Sequence, residues 1–555
     1  MAPSRKTRSC NASLQKATKP RHQVKRPSQE RPSHSPMSEN SIAFIFACPL
    51  FGAVICTFLG RSKRHLCHPV AVASLAGALW GGIETLFRAV ASETNEVSYL
   101  LGGWTLDAFP RGVGIEFRAD LLGTLIMLVV VGVAFLVALY SKLPVSEETP
   151  EKEGPFFTLF LLQVTGLSGI CLTGDAFNLY VLIEVTALTG YGLIAMGSAR
   201  AATATFNYVI LGTIGASFYL LGVGYVYIKT GTLNMVGIQE VIEARNLADS
   251  ATMQVAFVFI GLGILIKMAF FPFHAWLPNA YAYAPTATSC LLAPLVTKVM
   301  IYAMIRMTLT VFGVEFSFDN TVWTQLLPWL VVIAIVCAAT MALAQRDLKK
   351  MLTYLIVAEV GYMVGGVWLH NYYGLIGSIF HVISDACMTL CLFLGAGIIL
   401  RKVGTTHFDG MKGLFRRMPL TMTGFFVGGF SIIGLPPTCG FFSKWYLITG
   451  GMMANRWEYM VALMFSTMVM VVLFFRLIER IHLAVTESGE EFGHGHGDLD
   501  LPENETCFDE APLSMLVPLL LSAAVVIVVG VYNQDVVNLI EDFLEPFNLP
   551  KGTDH

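Results

Sequence analysis

Long apolar runs alternate with short polar ones along most of this chain, at lengths suited to a bilayer. A helix crossing the hydrocarbon core needs about 20 predominantly apolar residues. Windows of that kind start near Ser41, Val70, Leu121, Phe156, Ala176, Thr205, Val255, Leu291, Leu326, Met351, Gly374, Leu420, Trp457 and Pro512. The pattern predicts an all-α polytopic membrane protein with about fourteen transmembrane helices. Two windows are interrupted by proline, the seventh by Pro272 and Pro278 and the twelfth by Pro436 and Pro437. Proline removes a backbone donor and clashes with the preceding turn. Both spans are therefore predicted to be broken at membrane depth, where freed backbone groups need protein or water.

Composition agrees with this reading. Of 555 residues, 55% are hydrophobic and 14% charged, against about 25% charged in a soluble domain. The net charge of −3 comes without a basic face, so nucleic acid is not an expected partner. Eleven cysteines form no C-x-x-C pair and most stand inside apolar runs. That excludes the usual zinc and iron–sulfur spacings, and neither a cofactor nor a metal is expected.

Short-loop Lys/Arg bias sets orientation. Arg61, Lys63 and Arg64 follow the first span and place that loop in the cytoplasm. The loops with Arg346, Lys349 and Lys350, and with Arg401 to Arg417, then fall on the same side. Residues 1–36 carry nine Lys/Arg against Glu30. Such a segment opposes translocation, so the fold is expected to begin at Met37, with 1–36 outside the mature fold. Residues 37–155 hold helices 1–3, and 512–555 hold helix 14 and a tail. Segment 486–511 is read as an acidic cytoplasmic linker, and its His494 and His496 as solvated rather than metal-binding. Met235 to Glu243 has helical apolar spacing suited to the outer interface.

The informative residues are charges inside apolar windows. An ionisable group at mid-membrane costs about 2.5–3.5 kcal/mol even on a lenient scale. Glu184, Lys267, Lys298, His381 and Lys444 all stand there, with Glu359, Asp385 and His274 as additional candidates. Static ion pairs account for any one of them. Acid, amine and imidazole spread over several helices are what a proton path requires, since each site must bind and release a proton. The arginines Arg306 and Arg476 lie nearer span ends, where they are expected to snorkel. Lys267 precedes the first break and Lys444 follows the second; broken helices commonly flank ion sites. The two broken spans stand five apart and so cross in opposite senses, a hint of inverted repeats.

The segments Lys267 to Pro278, Ala284 to Thr286, Leu348 to Tyr362 and Gly434 to Lys444 resemble the antiporter-like subunits of respiratory complex I, membrane-bound hydrogenases and Mrp-type cation/proton antiporters. The likeness is strongest to the D-type member of the Mrp set. The resemblance implies two inverted five-helix repeats, 156–311 (helices 4–8) and 326–485 (helices 9–13). It implies a proton relay in which Glu184 pairs with Lys267, Lys298 bridges, and His381 and Lys444 complete the path. Asn279 and Tyr281 depart from that pattern, as do Leu355, Glu359, Asp385 and Thr389, the last standing where a lysine is usual. The implied function is that of a proton/cation translocating subunit of a multisubunit monovalent cation/proton antiporter, without a redox centre of its own. Its implied partners are other membrane subunits, protons, a monovalent cation and the lipid of a bacterial inner membrane. Two alternatives stand beside it: a proton-pumping subunit of a complex I-like quinone reductase or hydrogenase, and a scaffold with an inactive relay.

Overall fold

The computed structural model describes residues 41–100, 115–319, 322–482 and 509–551. The basic extension 1–36 and His494 and His496 of the linker lie outside them. Among the described residues, twelve helices are long and apolar enough to cross a membrane. In chain order they are Ser41–Leu59, Arg64–Ala91, Leu121–Tyr140, Glu153–Leu172, Ala176–Ala195, Ala199–Thr230, Thr286–Val311, Trp323–Leu343, Leu348–Trp368, Tyr372–Val403, Trp457–Ile481 and Leu513–Val531. Two further spans are discontinuous. The seventh is Ala251–Lys267 followed by Leu277–Tyr283, and the twelfth is Pro419–Ile433 followed by Cys439–Met453. With these the chain makes fourteen crossings, as the apolar pattern requires.

Contacts between loops confirm the alternation. At one end of the bundle Asp120 meets Arg306, Thr173 pairs with Phe117, Asn234 with Asp175, and the Tyr372 N–H donates to Pro550. At the other, Thr286 N–H donates to Glu148, Arg401 meets Glu147, Asp347 pairs with His407, and Lys402 and Arg417 meet Asp509. Every one of these pairs joins positions that parity puts at the same end. The second end carries the basic loops that the sequence assigns to the cytoplasm.

Burial separates interior spans from lipid-facing ones. The most apolar windows of the eighth and eleventh spans are 100% buried, against 33% for the first two. The interior spans are the ones that hold Lys298, His381 and Asp385. Peripheral helices turn their apolar faces to lipid, which leaves the polar groups at the centre.

Several elements depart from the sequence reading. A β-hairpin, β1 (Glu96–Leu100) against β2 (Glu116–Asp120), stands between the second and third spans. Five-residue strands are too short to register beside twenty-residue windows. A twelve-residue helix, Asn533–Leu544, follows the last span and buries Val537, Ile540, Phe543 and Leu544. Met235–Ala244 is helical as the spacing predicts, capped by Asn234 and burying Met235, Ile238 and Ile242. Arg306 does not snorkel. Its guanidinium grips both oxygens of Asp120, at 2.6 and 2.7 Å, and donates to the Tyr302 hydroxyl. A bidentate pair of this kind satisfies a buried arginine without solvent.

The second break depends on a close approach. A Cβ on Gly440 would lie 1.9 Å from the Ser431 carbonyl oxygen of the preceding half-helix. Gly440→Ala is expected to cost about 1–3 kcal/mol, the usual range for overpacking, read as a lower thermal midpoint in detergent. Gly132→Ala, where nothing lies within 4 Å, is the matched control and is expected to melt at or above the parent.

Candidate functional site

The first break begins where the helix Ala251–Lys267 stops. Ala269 takes a positive φ of 58°, and the chain resumes as a tight turn, Phe273–Trp276, before Leu277–Tyr283. The freed Ile266 carbonyl accepts from the Trp276 indole at 3.3 Å. That indole stacks on Tyr208 of the sixth span, centroids 3.9 Å apart, so the break is held open by rigid groups. Pro272 stands in the gap. Pro278 does not, contrary to the sequence reading: it sits in the first turn of the resumed helix, where a missing N–H costs nothing.

Lys267, the last residue of the first half-helix, places its Nζ 3.1 Å from Glu184 Oε1 on the fifth span. The pair is asymmetric, with side-chain exposures of 6% for the amine and 27% for the acid. Gly212 of the sixth span leaves room beside the pair for the Tyr191 hydroxyl, which would lie 2.0 Å from a Cβ there. His274 is buried in the same break. Its ring lies 5.1 Å from that of Phe271 and 6.2 Å from that of Tyr354 on the tenth span. The Pro272 backbone is its hydrogen-bonding neighbour.

At the centre, Lys298 of the eighth span meets Asp385 of the eleventh at 2.8 Å, both side chains essentially without exposure. Thr389, one turn further along, donates to the other Asp385 oxygen at 2.6 Å. Glu359 on the tenth span is wholly buried. Neither of its oxygens meets an N–H or O–H of another described residue, and the group within hydrogen-bonding reach is the Asp385 carboxyl. His381, one turn before Asp385, has Nδ1 2.8 Å from Ser443 Oγ on the twelfth span. Its Nε2 is buried and unpartnered among the described residues.

At the second break, Pro419–Ile433 ends on Gly434, whose φ of 93° is open to glycine. The chain restarts as Cys439–Met453, with Pro436 and Pro437 in the gap. Helix ends leave unpaired carbonyls carrying partial negative charge. Lys444 answers them: its Nζ donates to Ile432 O at 2.6 Å, lies 3.5 Å from Ile433 O, and stands 5.3 Å from the Tyr362 ring. Peptide bonds Phe271–Pro272 and Pro436–Pro437, one in each break, are cis. The lysines are not at equivalent positions, since Lys267 closes a first half-helix and Lys444 belongs to a second.

Lys298, Glu359, His381, Asp385 and Lys444, drawn from four spans, form one connected set of electrostatic neighbours. Glu184 and Lys267 form a separate pair with each other. One buried amine escaped the sequence reading. Lys349, assigned there to a basic loop, is 3% exposed in the first turn of the tenth span, with Glu148 and Asp347 as its acidic electrostatic neighbours. The signal was present: Asp347 is a helix-capping residue, which puts Lys349 on the helix, in phase with Thr353 and Ile356. At the same end but outside the spans, a hydrogen bond from Arg401 holds the Glu147 carboxyl below the usual carboxylate range, and Lys402 does the same for Asp509.

Residues 173–470 match the family described as NADH:quinone oxidoreductase/Mrp antiporter, transmembrane. The chain is 39% identical over 513 residues to the N-type subunit of the NADH-quinone oxidoreductase of Desulforudis audaxviator, covering 91% of this chain and 98% of that one. It is 30% identical over 436 residues to the D-type subunit of the Na(+)/H(+) antiporter of Bacillus subtilis, covering 77% and 84%. Among solved structures, it aligns with a chain of the membrane-bound sulfane sulfur reductase, an archaeal respiratory membrane complex. That match has a TM-score of 0.78 at 29% identity and covers 91% and 97%.

Proposed function

Because the chain belongs to the NADH:quinone oxidoreductase/Mrp antiporter transmembrane family, we propose that it is the proton-translocating subunit of a multisubunit monovalent cation/proton antiporter in a bacterial inner membrane. The observation that carries this reading is the set of ionisable groups buried in the interior, one pair and one cluster. Glu184–Lys267 stands at one broken helix, Lys298–Asp385 in fully buried spans, and His381 and Lys444 at the other broken helix. Each charge costs about 2.5–3.5 kcal/mol to place in hydrocarbon. Two pairs would satisfy a static scaffold. An imidazole nitrogen without a partner among the described residues, and a lysine whose hydrogen bonds go to carbonyls and a sulfur, add groups that bind and release protons.

In this reading Glu184, the more exposed partner, exchanges with water and loosens its hold on Lys267 when protonated. Lys267 then passes charge toward Lys298, and the central groups carry it to His381 and Lys444. The five-span units 156–311 and 326–485 each contribute one broken helix, related as inverted repeats. Lys267→Ala is expected to bring cation-driven proton movement in inverted vesicles to background while the complex still assembles. Transport at the parent rate would reject the gate.

A second reading, a proton-pumping subunit of a redox-linked complex, is favoured by the 39% identity to an oxidoreductase subunit over nearly its whole length. It uses the same relay with a different drive. Vesicles supplied with a sodium or potassium gradient alone separate the two: proton movement without an electron donor supports the antiporter, and movement only during electron transfer supports the alternative. A scaffold role is expected to leave every charge-removal variant silent in both assays.

A further inference from the structure

The contact between Glu359 and Asp385 is not one that a lysine–histidine relay needs. Two carboxyls repel when both are ionised, and they hydrogen-bond only through a proton held between them. The described protein groups supply no other hydrogen to Glu359. Its oxygens meet no N–H or O–H donor among the described residues, while Asp385 already takes the Lys298 ammonium and the Thr389 hydroxyl. A wholly buried carboxylate without a donor is among the costliest groups a protein interior can hold, and a proton shared with its neighbour removes that cost.

We infer that Glu359 and Asp385 form a proton-sharing dyad that stores the travelling proton between Lys298 and His381. This rests on the relay proposed for the whole chain and gives it a central acceptor. Lys298 hands a proton to Asp385 and becomes a neutral amine; the dyad, which already held one proton, now holds two and is uncharged. The Ser443 hydroxyl donates to the Gly440 carbonyl at 3.1 Å, so it takes the hydrogen of His381 Nδ1 and leaves Nε2 as the acceptor. The dyad passes one proton to Nε2, giving an imidazolium, and returns to its one-proton state. Lys298 is reloaded from the Lys267 side, and one proton has moved. The charged or titratable groups facing the dyad among the described residues are Lys298, His381, Lys444, Tyr362 and Cys387.

Infrared spectra of the purified full complex, in light and heavy water, test this directly. The parent is expected to show the carbonyl band of a protonated carboxyl above neutral pH, shifted by deuterium and missing from Glu359→Gln. In vesicles, Glu359→Gln is expected to lose roughly 100-fold in proton movement, the scale of a lost acid–base group, with an unchanged melting point. Glutamine still donates to Asp385 but cannot release a proton, so a merely structural Glu359 would tolerate it. Absence of the band from the parent, which needs no variant to read, overturns the dyad. So does a band that survives Glu359→Gln, or full transport by that variant. Lys267→Ala keeps the two readings apart: if it is also silent the relay itself fails, and if it alone is inactive only the dyad fails.

Discussion

Asp385→Ala is expected to destabilise the protein by about 3–5 kcal/mol, the cost of leaving a buried charge without its partner, and to abolish transport. Lys298 has 2% side-chain exposure, and its hold on Asp385 at 2.8 Å is the charged contact that compensates its burial. Its hydrogen bond to the Ala293 carbonyl, at 3.2 Å, goes to a neutral acceptor. Thermal unfolding in detergent reads the first effect and vesicle assays the second. The paired replacement Lys298→Met with Asp385→Leu separates them. Removing both charges together is often neutral or stabilising, so the double variant is expected to recover most of the lost stability and none of the transport. Transport at the parent rate in the double variant would make the ion pair a structural strut and remove it from the path.

Lys444→Met is the second large effect. Methionine keeps the length and apolar contacts of the stem but takes away the donor that serves Ile432 and Ile433. Each buried carbonyl left unpaired costs about 1–3 kcal/mol, so the twelfth span should melt earlier, and transport should fall by roughly 100-fold with the acid–base group gone. Lys444→Arg divides the two roles. Arginine still donates to the carbonyls but does not release a proton in proteins. It is expected to restore the break and leave transport lost. A transporting arginine variant would reduce Lys444 to a cap on a half-helix.

The two breaks show how far local signals reach. Proline, together with Gly434 in the second break, marks both interruptions in the sequence, because backbone chemistry at those positions is local. Yet Pro278 belongs to the resumed helix, and the gap itself runs from Met268 to Pro272. What holds that gap is Trp276 stacked on Tyr208 from another span, and no spacing rule announces such a pair. The same limit applies to Lys349. A basic doublet after a loop reads as a surface, and only the docking of the tenth span against its neighbours turns one lysine inward and leaves Lys350 against the Tyr283 ring.

The sequence alone determined the number of crossings, which two are broken, which ends carry the basic loops and, Lys349 and Arg306 aside, which charges are buried among the spans. Those properties follow from bilayer thickness and the chemistry of windows about twenty residues long, and they need no knowledge of neighbours. The tertiary structure decided who meets whom: Lys298 with Asp385, Glu359 against that same carboxyl, His381 with Ser443, and Arg306 with Asp120 instead of solvent. Pairing depends on how each helix is rotated and where distant helices cross, and a rotation of one residue's worth exchanges a lipid-facing position for an interior one.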